Sequence, residues 1–100
     1  MKVERDQYEA WQRRWSEIDA TVTDKNDNWV GAVTAFMHQI EDARHDAYLT
    51  GLARAARQRA SEFKKLKRNA VPSDVFQTFL NAWGRVQGGI GMHLMDRPPT

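Results

Sequence analysis

Imidazole and carboxylate side chains that share one helix face are the sequence's best candidates for metal chemistry. His38 and Asp42 are four residues apart, as are Glu41 and His45, so each pair lies on a common face of a helix. Metal sites in helical bundles also need matching ligands from other helices, and the sequence holds no second set. Hydrogen-bonded surface histidines are the better interpretation, and we predict no metal and no cofactor.

The residue types needed for covalent catalysis are sparse. The chain has no Cys, which excludes thiolate catalysis and Cys-based zinc sites. Ser16, Ser61 and Ser73 have no nearby His in a recognisable motif. The segment Gly88-Gly89-Ile90-Gly91 lacks the Lys-Ser/Thr pair of a phosphate-binding loop. We therefore predict that the protein is not an enzyme.

A stripe of cations is the strongest charged feature of the second half. On a helical wheel it covers an arc of about 100°. Its members are Arg54, Arg57, Lys64, Lys65 and Arg68. Such a stripe suits phosphates or an acidic protein surface, and the alternative is a solvated face opposite the core. The following helix has Arg85 as its one cation, which makes it a poor recognition helix for DNA.

Charge is divided unevenly along the chain. Residues 1–53 carry a net charge of −4 and residues 54–100 a net charge of +6, within an overall +2. We expect the acidic residues of the first half to contact a basic surface on a partner, with fast and salt-sensitive association. They are Glu4, Asp6, Glu9, Glu17, Asp19, Asp24 and Asp27.

Four tryptophans in 100 residues are a heavy aromatic load. Trp11, Trp15, Trp29 and Trp83 all lie on apolar stripes, where core packing is the usual role. Trp is also enriched at binding hot spots, and an apolar stripe is equally what a self-association seam shows. We expect one or two of them, chiefly Trp11 and Trp15, to reach a partner or a dimer interface.

Periodicity sets out the helices that must position these residues. The first helix is predicted from Glu4 to Val22, and the second from near Asn28, with Asp27 or Asn28 as its cap. The apolar phase changes after Tyr48. We favour a break at Thr50-Gly51, since Gly costs about 1 kcal/mol relative to Ala in a helix, over one continuous helix.

The second half predicts two further helices. The third runs from Gly51 to Arg68 and is ended by Pro72, because the residue before Pro leaves the helical region. The fourth starts at Ser73 and ends at Gly88-Gly89. The result is an all-α fold, a small bundle of three to four amphipathic helices in one domain over residues 1–100, with 90–100 as a partly disordered tail.

The chain shows no apolar signal core, and no apolar run approaches the roughly 20 residues that span a bilayer. We therefore predict a cytoplasmic protein without membrane contact. Its profile resembles the helical anti-CRISPR inhibitors, small proteins of phages and mobile elements. The shared traits are about 100 residues, no Cys, no catalytic motif, separated acidic and basic regions and many aromatics on helices. The resemblance implies action in the host cytoplasm against a host protein or nucleoprotein complex, whose nucleic-acid binding is blocked.

Our first hypothesis is thus a protein-binding inhibitor, acting as a monomer or homodimer. One alternative is a nucleic-acid-binding or regulatory protein that uses the basic helix 54–68. The other is a structural homo-oligomer that pairs through the first or the fourth helix.

Overall fold

The computed structural model describes residues 5–44, 46–66 and 73–95. These residues form four α-helices and no strand: α1 (Arg5–Asp19), α2 (Val30–Ala43), α3 (Ala47–Lys65) and α4 (Ser73–Met95). The prediction of an all-α bundle is confirmed. The predicted turn at Asn69-Ala70-Val71-Pro72 lies outside the described residues, as do residues 96–100 of the tail.

Helix α3 lies between two neighbours, α2 on one side and α4 on the other. Ala53, Ala56 and Ala60 are fully buried on its inner face, and such small side chains let the neighbouring helices approach closely. Helix α1 packs chiefly against α4 and only marginally against α2. The helices of the bundle are therefore neighbours in the order α2, α3, α4, α1.

Aromatic rings fill the centre of the bundle. Trp29 packs on Phe79 with ring centroids 4.7 Å apart and on Phe63 at 5.1 Å. Trp83 stacks on Trp15 at 4.9 Å, which joins α4 to α1. Burying such large rings is the main source of stability for a small core.

Indole N–H groups buried in this core find acceptors within the chain. Trp15 donates from Nε1 to the carbonyl of Trp83 at 3.0 Å, and Trp83 donates to the Asp19 carboxylate at 3.0 Å. Trp29 donates to the carbonyls of Thr23 and Asn26 at 2.8 and 2.9 Å. The three indoles are thereby buried without the cost of an unpaired donor.

The predicted break at Thr50-Gly51 is wrong in position. The chain leaves the helix at Arg44, which adopts a left-handed conformation with φ of 50°, and α3 starts at Ala47. Gly51 lies inside α3, exposed to solvent, where its missing side chain costs helix propensity but blocks no packing. The change of apolar phase therefore did mark a boundary between two helices, several residues before the glycine.

Three other predicted boundaries also need correction. Helix α4 continues through Gly88-Gly89 to Met95, because Ile90 on its inner face is fully buried and holds the helix to the core. The N-cap residue of α2 is Trp29, which makes no side-chain capping bond, rather than Asp27 or Asn28. Helix α1 ends at Asp19 rather than Val22.

Candidate functional site

Two acidic residues of α1 lie beside arginines of the same helix. Glu9 lies 3.7 Å from Arg5, and Glu17 lies 3.5 Å from Arg14, in exposed ion pairs one turn apart. Asp19 accepts the Trp83 indole N–H described above. Asp6 is exposed, and Glu4 lies outside the described residues.

Trp11 and Trp15 correct the expectation that tryptophans of the first helix reach a partner. Their side chains are only 5% and 8% exposed, and Trp15 is fixed between α1 and α4 by its stacking and its hydrogen bond. Their stripe faces the bundle because α1 has a single apolar side, which α4 occupies. Both residues are structural in this fold.

The basic stripe of α3 is partly neutralised by α2. Arg57 donates two hydrogen bonds to Glu41, of 2.7 and 3.1 Å, and Arg54 lies 3.6 Å from the same carboxylate. The hydrogen bond from Arg57 outweighs partial burial and lowers the pKa of Glu41 below its ordinary value. Lys64 and Lys65 are exposed near the end of α3, and Arg68 lies outside the described residues.

The histidine and carboxylate set on α2 shows no metal-binding geometry among the described residues. Glu41 forms ion pairs with Arg54 and Arg57 of α3, while His38 and Asp42 are exposed. In the described ranges, no group of three or more potential ligands comes together. His45 lies outside them.

Two neighbouring hollows lie between α3 and α4, and the helical spacing in the sequence does not predict them. Two rows of residues with helical spacing line these hollows. The row on α3 is Tyr48, Leu52, Ala55 and Arg59, and the row on α4 is Ala82, Arg85, Gly89 and Met92. We call these eight residues the α3–α4 groove.

One end of the α3–α4 groove is apolar. Tyr48 and Met92 stand 60% and 61% exposed around a hollow floored by Gly89, and Met95, 79% exposed, borders the same hollow. Among the described residues, Leu66 is the other exposed large apolar side chain. It is 38% exposed and follows the far end of α3. The exposed apolar surface is therefore concentrated at one end of the bundle.

The other end of the α3–α4 groove is cationic. Arg59 and Arg85 are the charged residues that line its second hollow, beside the polar Thr78 and Asn81. Arg85 takes part in no ion pair with a described residue, whereas Arg59 lies 2.6 Å from Glu62 in an exposed pair. This end can therefore receive negative charge.

A cluster of three polar side chains closes the apolar end against α1. His93 Nε2 lies 2.6 Å from the Asp46 carboxylate, and the Tyr8 ring stacks on the His93 ring at 4.3 Å. Asp46 also caps α3 by accepting the Tyr48 N–H at 2.9 Å. Burial by itself raises the pKa of Asp46, but the hydrogen bonds from His93 and from Tyr48 outweigh it and leave that pKa below its ordinary value.

The sequence does indicate which apolar residues are exposed, but it does not indicate that they line one groove. Tyr48, Met92 and Met95 lie off the apolar stripes of their helices, which is the pattern expected of apolar residues exposed for contact. That the two rows face one another depends on the antiparallel pairing of α3 with α4. This pairing is a tertiary feature.

Comparison with known proteins gives no match: no protein-family model, curated protein or solved structure is similar to this chain. None of the helices in the described ranges has the length and apolar character required to cross a membrane.

Proposed function

We propose that the chain is a non-enzymatic protein-binding module whose contact surface includes the apolar end of the α3–α4 groove. The observation that carries the proposal is the clustering of Tyr48, Met92 and Met95 around one hollow. Clustered exposed apolar side chains mark contact surfaces, since a soluble protein otherwise buries or disperses them. Met adapts its shape to a partner, and Tyr combines a large apolar ring with a hydroxyl.

The narrower form of this proposal is an inhibitor that covers the nucleic-acid-binding surface of a host complex, as anti-CRISPR proteins do. The exposed carboxylates of α1 support it, since Asp6, Glu9 and Glu17 share the outer side of that helix. The ion pairs of Glu9 and Glu17 with neighbouring arginines are of the exposed kind that contributes little and exchanges readily.

Affinity purification from the producing cells tests the proposal. Tagged wild-type chain is compared with Tyr48→Lys/Met92→Lys, which places two charges in the apolar hollow. Leu66→Lys is the matched control, since it charges an exposed apolar side chain at the other end of α3. We expect a protein partner with wild type and with Leu66→Lys, and a loss of about tenfold or more with the double variant.

Two results would contradict the proposal: recovery of no protein by the wild-type chain, or equal recovery by the double variant. Circular dichroism of all three proteins shows whether a loss of partner reflects unfolding. We expect little change in fold, because the substituted side chains stand exposed.

A second candidate function is nucleic-acid binding through the end of α3. The observation in its favour is that Lys64 and Lys65 are exposed and have no acidic partner among the described residues. A gel shift at moderate salt with Lys64→Glu/Lys65→Glu as the comparison tests it. Affinity that falls steeply with salt and disappears on charge reversal would support it, whereas a shift indifferent to the reversal would count against it.

A further inference from the structure

We propose that the α3–α4 groove binds an acidic, amphipathic helix of the partner protein. This inference rests on the proposed function and specifies the chemistry of the partner. It combines the two ends of the groove, one apolar and one cationic, into a single binding surface.

The two ends lie next to each other on the same pair of helices. Gly89 lines the apolar hollow and Leu52 lines the cationic one. These two residues are in direct contact, because a Cβ placed on Gly89 would lie 2.9 Å from Leu52 Cδ1. The hollows therefore adjoin at this contact between α4 and α3.

Small side chains make the groove shallow and open enough for a helix. Ala55 and Ala82 line its middle. From Tyr48 to Arg59 the groove follows α3 for eleven residues, about 16 Å or three helical turns. An amphipathic helix laid in such a groove contacts it through residues at i, i+3, i+4 and i+7.

Charge sets the nature of the bound helix. The charged residues that line the cationic hollow are Arg59 and Arg85, which stand on opposite walls. A carboxylate between them would form charge-assisted hydrogen bonds with both guanidinium groups. The occupant thus has Asp or Glu about three turns away from an apolar anchor that sits between Tyr48 and Met92.

Nucleic acid fits this surface less well than an acidic helix does. Two cations are few for a phosphate backbone, and the apolar end offers phosphates no counter-charge. A second copy of this chain is the other possible occupant, and the experiment below separates it.

The test is selection from a displayed library of helical peptides of about 18 residues, five turns, with randomised surface positions. The wild-type chain serves as bait. We expect enrichment of peptides with net negative charge and an apolar stripe. Binding of the enriched peptides should weaken about tenfold or more in Arg59→Glu/Arg85→Glu and in Met92→Lys.

The matched control is Lys64→Glu/Lys65→Glu. It changes the net charge by the same amount as Arg59→Glu/Arg85→Glu, but at two positions of α3 that lie on a side of the helix away from the groove. The lower net charge of this control weakens the long-range attraction of acidic peptides, and high salt screens that attraction. At high salt, its affinity for the enriched peptides should therefore stay within about twofold of wild type. When an enriched peptide binds, the NMR chemical shifts of the chain should change at Tyr48, Ala55, Ala82 and Arg85.

Several outcomes would overturn the inference. They are enrichment of basic peptides, equal loss of binding in the control pair, shifts confined to other surfaces, or no enrichment over the starting library. Light scattering that shows a dimer, dissociated by Arg59→Glu/Arg85→Glu, would replace the partner helix with a second copy of the chain. If Tyr48→Lys/Met92→Lys loses a cellular protein that wild type recovers, while Arg59→Glu/Arg85→Glu recovers it normally, the proposed function stands and this inference fails.

Discussion

Asp46 shows how one side chain connects three helices. Its carboxylate caps α3 through the Tyr48 N–H and lies against His93 of α4, whose ring stacks on Tyr8 of α1. Sequence spacing alone could not predict this cluster, because its members are separated by 38 to 85 residues. It forms only when all three helices are packed.

Replacing Asp46 separates the capping role from the contact with His93. We expect Asp46→Ala to lower the free energy of unfolding by about 1–2 kcal/mol, from the lost cap and the lost hydrogen bond. Asp46→Asn should cost less, since an amide oxygen also caps a helix. Urea unfolding at pH 7, followed by Trp fluorescence, measures both. Asp42→Ala, at an exposed carboxylate, is the control, and an equal loss there would contradict the assignment.

Glu41 stabilises the bundle in a pH-dependent way. Its pKa is lower in the folded chain than its ordinary value, chiefly because of the Arg57 hydrogen bond. The unfolded chain therefore takes up the proton first, and the stabilisation present at neutral pH is lost as pH falls through the folded pKa. We expect Glu41→Gln to cost about 1 kcal/mol at pH 7, and the difference from wild type to shrink below about pH 4.

Denaturant titrations of both proteins at a series of pH values check the Glu41 prediction. Glu17→Gln is the control, since its pair with Arg14 is exposed at both ends and should contribute less than about 0.5 kcal/mol. A Glu41→Gln cost that stays constant from neutral to acid pH would show that the ion pair with Arg57 is not its origin.

Glycines in the helices show where sequence reasoning reached its limit. Helix propensity predicts boundaries at Gly51 and at Gly88-Gly89, yet all three glycines lie within helices. A glycine weakens a helix by about 1 kcal/mol, and burial of the neighbouring apolar stripe exceeds that amount. The apolar stripes correctly predict a bundle of three to four helices because burial repeats along a whole helix, whereas one glycine acts at one position.

The adjacent glycines of α4 should respond differently to the same substitution. Gly88 is exposed, and a Cβ there would meet nothing within 4 Å, so Gly88→Ala should raise the free energy of unfolding by about 0.5–1 kcal/mol. At Gly89 a Cβ would lie 2.9 Å from Leu52 and 3.0 Å from the buried Leu49. We expect this crowding to cancel the gain in propensity. Thermal unfolding of the two variants tests the pair, and equal stabilisation would contradict the close contact.

At the scale of the whole molecule, composition and periodicity predicted the all-α class, but they did not predict the contact surface. The charged stripes seen in sequence are partly paired in the fold, as Arg57 is with Glu41. The tryptophans predicted for contact are buried, because α4 covers the one apolar side of α1. Which residues remain exposed is decided by how helices pair, and that depends on contacts between residues distant in sequence.

This pairing also predicts which helix opens first. Helix α1 is held on one side by α4, whereas α3 is held by neighbours on both sides. Local opening is easiest where fewest contacts are broken, so we expect amides of α1 to exchange with deuterium faster than those of α3. Trp15→Phe removes the hydrogen bond to the Trp83 carbonyl, worth about 1 kcal/mol, and should speed α1 exchange about fivefold while leaving α3 nearly unchanged.

Hydrogen exchange read by mass spectrometry separates this local opening from global loss of stability. Trp29→Phe is the matched control, since Trp29 packs on Phe63 of α3 and on Phe79 of α4. That substitution should speed exchange in α3 as well as in α1, because it weakens the centre of the bundle. If exchange in α1 and in α3 of the Trp15→Phe variant accelerates equally, α1 opens together with the rest of the bundle as one cooperative unit. That result would contradict the separate opening of α1.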